Sequence, residues 1–143
     1  MTPTLEKPIM DFTLPAMFQT LERLVGNTPM VAVDMLYLGA PVTVYAKLEY
    51  FNLSGSIKDR MALEVLRCAY ESGTLRPGDL IVEATSGNAG IAFCALGRAL
   101  GHPVRIYMPD WMSQERISLM KSYGGEVRLV THEEGGFVGS IAM

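Results

Sequence analysis

The sequence predicts an α/β fold: an open, mostly parallel sheet with flanking helices. Three observations lead there. Short apolar, β-branched segments alternate with longer helical stretches from Leu48 onward, and the links between them are brief and marked by Gly or Pro. No internal repeat or low-complexity tract interrupts the pattern. Strand, helix and strand joined by short links imply right-handed crossovers and hence parallel pairing. At 143 residues, 49% hydrophobic and 19% charged, the chain is long enough to build a core and too apolar to be disordered.

The elements follow in order. Residues 1–20, which include Pro3, Pro8 and Pro15, read as an irregular N-terminal arm, and residues 21–143 as the folded part. Val42 to Leu48 alternates in character and is predicted as a strand. A polar turn, Asn52-Leu-Ser-Gly-Ser56, leads into a helix over 57–72, with Ser56 as N-cap, Asp59 completing an S-x-x-D box and Gly73 as the stop. Its apolar face is expected to be Met61, Val65, Leu66 and Ala69. After the Arg76-Pro-Gly-Asp79 turn, Leu80 to Ala84 is apolar enough for the middle of a parallel sheet. Thr85-Ser-Gly-Asn88 is a loop, and Ala89 to Leu100 a small-residue helix ending at Gly101. Val104 to Met108 is a strand halted by Pro109; Ser113 starts a helix to Tyr123, with Glu115 near its positive dipole end. Gly124-Gly125 ends that helix, Glu126 to Val130 is the last strand, and a helix begins near Gly136.

Composition removes several classes of function. Twelve Lys and Arg against 15 Asp and Glu give a net charge of −3, which does not steer a chain toward nucleic acid. Cys68 and Cys94 have no C-x-x-C spacing and, with only His102 and His132 besides, assemble no metal site. The cysteines read as buried and unreactive, the histidines as solvated, and Trp111 and Tyr107 as packing residues. The start of the chain lacks the pattern of a secretory signal, and no stretch nears the roughly 18 unbroken apolar residues of a membrane span. A cytoplasmic protein is the expectation. Ten methionines and a mean hydropathy of +0.21 fit either a Met-rich core or apolar surface meant for a partner.

Chemistry is expected where helix N-termini meet the carboxyl ends of strands. Two polar loops sit there. Ser54-Gly-Ser-Ile-Lys58-Asp-Arg60 puts Lys58 in a first helical turn, where the dipole disfavours a cation. A neutral amine, or one condensed with a carbonyl, suffers less; taken alone, Lys58 reads as an exposed lysine balanced by Asp59. Thr85-Ser-Gly-Asn-Ala-Gly90 offers two hydroxyls, an amide and closely spaced N–H groups, a nest suited to a carboxylate or phosphate. Gly87 and Gly90 leave room there for a ligand or another backbone. Neither G-x-G-x-x-G after a strand nor a Walker-type loop is present.

Together the loops, N-x-S-G-S-x-K-D-R followed by E-x-T-S-G-N-x-G, resemble the cysteine synthase (O-acetylserine sulfhydrylase) family of fold-type II pyridoxal-phosphate enzymes. Leu24-Val-Gly-Asn-Thr-Pro-Met30, Lys47-Leu-Glu-Tyr-Phe-Asn52 and Met108-Pro-Asp-Trp-Met-Ser-Gln-Glu-Arg116 extend the likeness over about 21–143, in wording closer to the B-type isozyme. The resemblance implies pyridoxal phosphate as cofactor, with Lys58 attached to it and then acting as base at the substrate α-carbon. It implies that Asn88 bonds the cofactor's phenolic oxygen, and that Thr85, Ser86, Gly87, Asn88 and Ala89 hold the substrate carboxylate. The implied reaction is loss of acetate from O-acetylserine and addition of sulfide or another thiol donor, giving L-cysteine.

Two departures stand out. Leu53 replaces the family's usual Pro, and Ala89 a frequent Thr, which removes a hydrogen bond to a charged group worth roughly 1.5–3 kcal/mol. Family members are also about twice as long and dimeric; their second half carries the phosphate grip and covers the strands near Met30–Val33 and Val42–Lys47. The expectation is therefore an N-terminal part that leaves apolar surface and sheet edges uncovered. The open alternatives are an inactive truncated homologue with a binding role, a chain completed by a separate C-terminal half, and a member acting on another β-substituted amino acid.

Overall fold

In the computed structural model, which describes residues 13–142, helices and strands alternate as the sequence predicts. The elements are α1 (Leu14–Leu24), β1 (Met30–Tyr37), β2 (Ala40–Lys47), α2 (Lys58–Glu71), β3 (Ile81–Ala84), α3 (Asn88–Ala99), β4 (Val104–Pro109), α4 (Gln114–Ser122), β5 (Glu126–Val130) and α5 (Gly136–Ala142). Strands β3, β4 and β5 form a parallel sheet in that order, with Ile81 opposite Val104 and Ile106 opposite Val127. β1 and β2 form a separate antiparallel hairpin. β3 is thus an edge strand rather than a central one, because each short crossover adds the next strand on the same side; Val82 is accordingly exposed.

The core sits between the sheet and α3, which is buried over most of its length. Close approach explains its glycines. A Cβ on Gly90 would lie 2.6 Å from Thr85 Cγ2 and 2.9 Å from the Met120 methyl, and one on Gly97 2.6 Å from Val104 Cγ2. Gly90 therefore serves packing, not a ligand. On the other face α5 lies against β4 and β5. Trp111 stacks on His132 with centroids 4.0 Å apart, and its indole covers Gly136.

Four expectations need correction. Within the presumed irregular arm, Leu14–Thr20 belong to α1, whose Phe18 and Leu21 are buried, and Phe18 meets Tyr70 edge-on at 5.7 Å. Pro15 lies in the first turn, where its missing N–H costs nothing; residues 1–12 lie outside the described residues. The buried face of α2 is Asp59, Ala62, Leu63 and Leu66, while Met61 and Val65 point outward. His102 is 1% exposed rather than solvated: its Nδ1 donates to the Asp79 carbonyl at 2.8 Å, and its Nε2 takes the Tyr70 hydroxyl. Cys68 is exposed, and a bond to the Glu64 carboxylate holds its thiol above the ordinary range. Cys94 is buried as expected, its thiol pushed up to about 12.

All of β1, and β2 apart from Ala46, is exposed. Leu36 is 71% and Leu38 89% accessible. At the tip Leu38 (φ 51°) and Gly39 (φ 81°) are both left-handed, the backbone of a type I′ turn matched to strand twist. Leucine is poorly suited to that region. Leu38→Asn is expected to raise stability by about 1 kcal/mol in urea denaturation. Among the described residues no helix is long and apolar enough to cross a membrane.

Candidate active site

The two loops singled out in the sequence meet in space. Ser54, Gly55 and Ser56 line one side of an open cleft of about 290 Å3, and Asn88, Ile91, Glu115, Arg116 and Leu119 line the rest. Asn88 opens α3 at the carboxyl end of β3, where the free N–H groups of a helix start favour an anion. Thr85 is buried, and its hydroxyl accepts the Gly87 N–H at 3.2 Å. Ser86 is exposed and Ala89 half-buried; neither they nor Thr85 and Gly87 line the cleft. Gly87 lies under Arg116, since a Cβ there would stand 3.4 Å from the Arg116 Nε.

Lys58 begins α2 and is exposed; two residues beyond Ser56, it does not itself line the cleft. Among the described residues it belongs to no ion pair. Asp59 does not balance it. That carboxylate is buried and turned the other way, accepting the Ser54 N–H at 2.6 Å and the Ser54 hydroxyl. The expected S-x-x-D capping box is thus replaced by a longer-range bond. Ser56 Oγ only accepts the Lys58 N–H at 3.2 Å, and α2 starts from Ile57 with no side-chain cap.

Behind this loop lies a polar cluster that sequence reasoning missed. Arg60 donates to Glu49 through Nε at 2.8 Å and Nη2 at 3.0 Å. Thr28 Oγ1 donates to the same carboxylate at 2.6 Å, and Asn52 Nδ2 at 2.8 Å. Asn52 Oδ1 in turn accepts the Gly26 N–H at 2.7 Å, and Lys47 Nζ donates to the Thr28 carbonyl. The three motif stretches around Gly26, Glu49 and Lys58 are thereby knitted together. Only their shared place in the family-like motifs could have signalled this; Arg116, whose motif was also legible, was not assigned to the cleft.

The cluster has a pH signature. Bonds from Arg60, then Thr28 and Asn52, hold the Glu49 carboxyl at about 2, against an ordinary 4.5. A carboxyl lowered in the folded state adds stability that is complete above its ordinary value and is lost as pH falls toward the lowered one. Acid destabilisation between about pH 4.5 and 2 should therefore be shallower in Glu49→Gln, read as the urea midpoint against pH.

Parallel sheet, helix-start nest and a lysine at the neighbouring loop define a class. The chain belongs to the family of pyridoxal-phosphate dependent enzymes, whose family model matches residues 21–143. It is 45% identical over 116 residues to cysteine synthase B of Salmonella typhimurium, an alignment covering 81% of this chain and 38% of that protein. Among solved structures it resembles a hydrogen sulfide-producing enzyme from Fusobacterium nucleatum, with a TM-score of 0.83 and 55% identity over 87% of this chain and 37% of that one. It also resembles an O-ureido-L-serine synthase, with a TM-score of 0.74 and 40% identity over 85% of this chain and 39% of that one. The chain thus spans well under half the length of these relatives.

The cofactor of this family is pyridoxal phosphate. The residues present fit it. The cleft is lined by the hydroxyls of Ser54 and Ser56, the Asn88 amide and the Arg116 guanidinium, with Glu115 its one carboxylate; a side chain at Gly87 would crowd Arg116.

Proposed function

We propose that this chain supplies the lysine and the carboxylate-binding loop of a pyridoxal-phosphate enzyme that makes L-cysteine from O-acetylserine and a sulfur donor. The observation carrying this reading is that Ser54–Ser56 and Asn88, distant in sequence, line one cleft beside the helix start that bears Lys58. Bound there, pyridoxal phosphate supplies an electron sink for charge developing at the substrate α-carbon. Lys58 Nζ holds the cofactor and, once released, takes the α-proton. Asn88, which lines the cleft, would bond the cofactor's ring oxygen. The Thr85 and Ser86 hydroxyls and the backbone around Gly87 to Ala89 hold the substrate carboxylate at the positive end of α3, while the Thr85 N–H is spent on the Tyr107 carbonyl. Arg116 adds a cation over Gly87.

The uncovered β1–β2 hairpin reads as the contact surface for the part of the relatives' length that this chain does not span. A homodimer of the completed enzyme fits the same reading.

A second reading is favoured by the 55% identity to a hydrogen sulfide-producing enzyme. It is the release of sulfide from L-cysteine. One pair of assays separates the two. With pyridoxal phosphate present, cysteine appearing from O-acetylserine plus sulfide supports the first reading, and sulfide appearing from L-cysteine alone supports the second. Turnover of neither when a relative's C-terminal half is added, with no covalent cofactor on Lys58, overturns both.

A further inference from the structure

We propose that Glu49 is a positioning residue for Lys58, acting through Arg60; this rests on the reading that Lys58 carries the cofactor. Lys58 is flanked by two side chains that are tied down, while its own makes no ion pair among the described residues. Asp59 is anchored to Ser54 and Arg60 to Glu49. The helix start has no side-chain cap of its own, so these tertiary bonds fix its first turn. Successive helical residues are set about 100° apart, which puts Arg60 on the far side of the turn from Lys58. The bidentate Arg60–Glu49 pair therefore resists rotation of the turn about its axis.

Such rotation matters for a long side chain. A turn of about 20° carries an amine about 8 Å from the axis through about 3 Å, whereas misplacement by about 1 Å already slows a reaction strongly. Glu49 is itself immobilised by four donated bonds, two from Arg60 and one each from Thr28 and Asn52. Like Lys58, neither Glu49 nor Arg60 lines the cleft, and among the described residues their side-chain bonds are to each other and to Thr28 and Asn52, not to the Lys58 side chain. Their influence on the amine must pass through the backbone of α2.

The test reads where the amine can reach rather than turnover. The purified chain is incubated with pyridoxal phosphate; an amine nitrogen adds to the aldehyde carbon, water leaves, and borohydride delivers hydride to give a stable secondary amine. Peptide mass spectrometry then gives the ratio of label on Lys58 to label on Lys121, an exposed lysine of α4. Glu49→Gln is expected to lower that ratio about tenfold. Arg60→Met should lower it equally, and the double variant no further. Thr28→Val, which keeps the ion pair, should lower it about twofold and serves if the stronger variants fold poorly. Arg105→Gln, which breaks an exposed Arg–Glu pair remote from this loop, with Glu126, should leave it unchanged. A Glu49→Gln ratio equal to wild type, even with a lower melting temperature, overturns the positioning role and leaves Lys58 in place. Wild-type label spread evenly over the lysines removes the Lys58 reading, and this proposal with it.

Discussion

Lys58→Ala is expected to abolish the visible imine absorbance formed with pyridoxal phosphate when the chain is joined by a relative's C-terminal half carrying the phosphate grip, a loss of about tenfold or more, because the covalent attachment goes with the amine. The fold should not notice. Lys58 is exposed and, among the described residues, in no ion pair, so the unfolding free energy from urea denaturation should stay within about 0.5 kcal/mol of wild type. The two measurements together isolate chemistry from stability. A variant that keeps the absorbance places the attachment on another lysine and ends the assignment of this loop.

The second large effect is structural. His102→Ala should lower stability by about 3 kcal/mol, because it opens a cavity and strands two polar groups at once. The Asp79 carbonyl loses the Nδ1–H that reaches it, and the Tyr70 hydroxyl loses its acceptor. Burial already holds the Tyr70 phenol above its ordinary range, so its proton has nowhere better to go. Tyr70→Phe removes one bond without a cavity and should cost about 1 kcal/mol. Urea denaturation checks both; a His102→Ala loss no larger than that of Tyr70→Phe would mean that the ring merely fills space.

What the sequence disclosed was local. Gly73, Pro77-Gly78, Gly101 and Gly124 punctuate the chain where helices stop and strands begin, so α2 through β5 are found within a residue or two. α1 was missed because Pro15 reads as a breaker unless the helix start is already known. The stripe chosen for α2 was one residue off because Met61 and Val65 are apolar yet face outward. No periodicity rule can tell an inward apolar face from an outward one. His102 and Glu49 escaped for another reason. Their partners lie far along the chain, Tyr70 and Asp79 for the first and Thr28 and Arg60 for the second, so only the tertiary fold joins them. The site divides the same way: each polar loop was legible as a loop, while the cleft they share and the place of Arg116 in it were not.

The hairpin has a thermal consequence. Among the described residues its strands pair in a ladder only with one another, its side chains are mostly exposed, and its base is tied down by Lys47 on the Thr28 carbonyl, so little holds it beyond its own ladder. A unit of that kind opens by itself, at a small free energy, without melting the parallel sheet. In hydrogen–deuterium exchange, amides of β1 and β2 should trade their protons orders of magnitude sooner than those of β4, making the ribbon the earliest part of the molecule to let go.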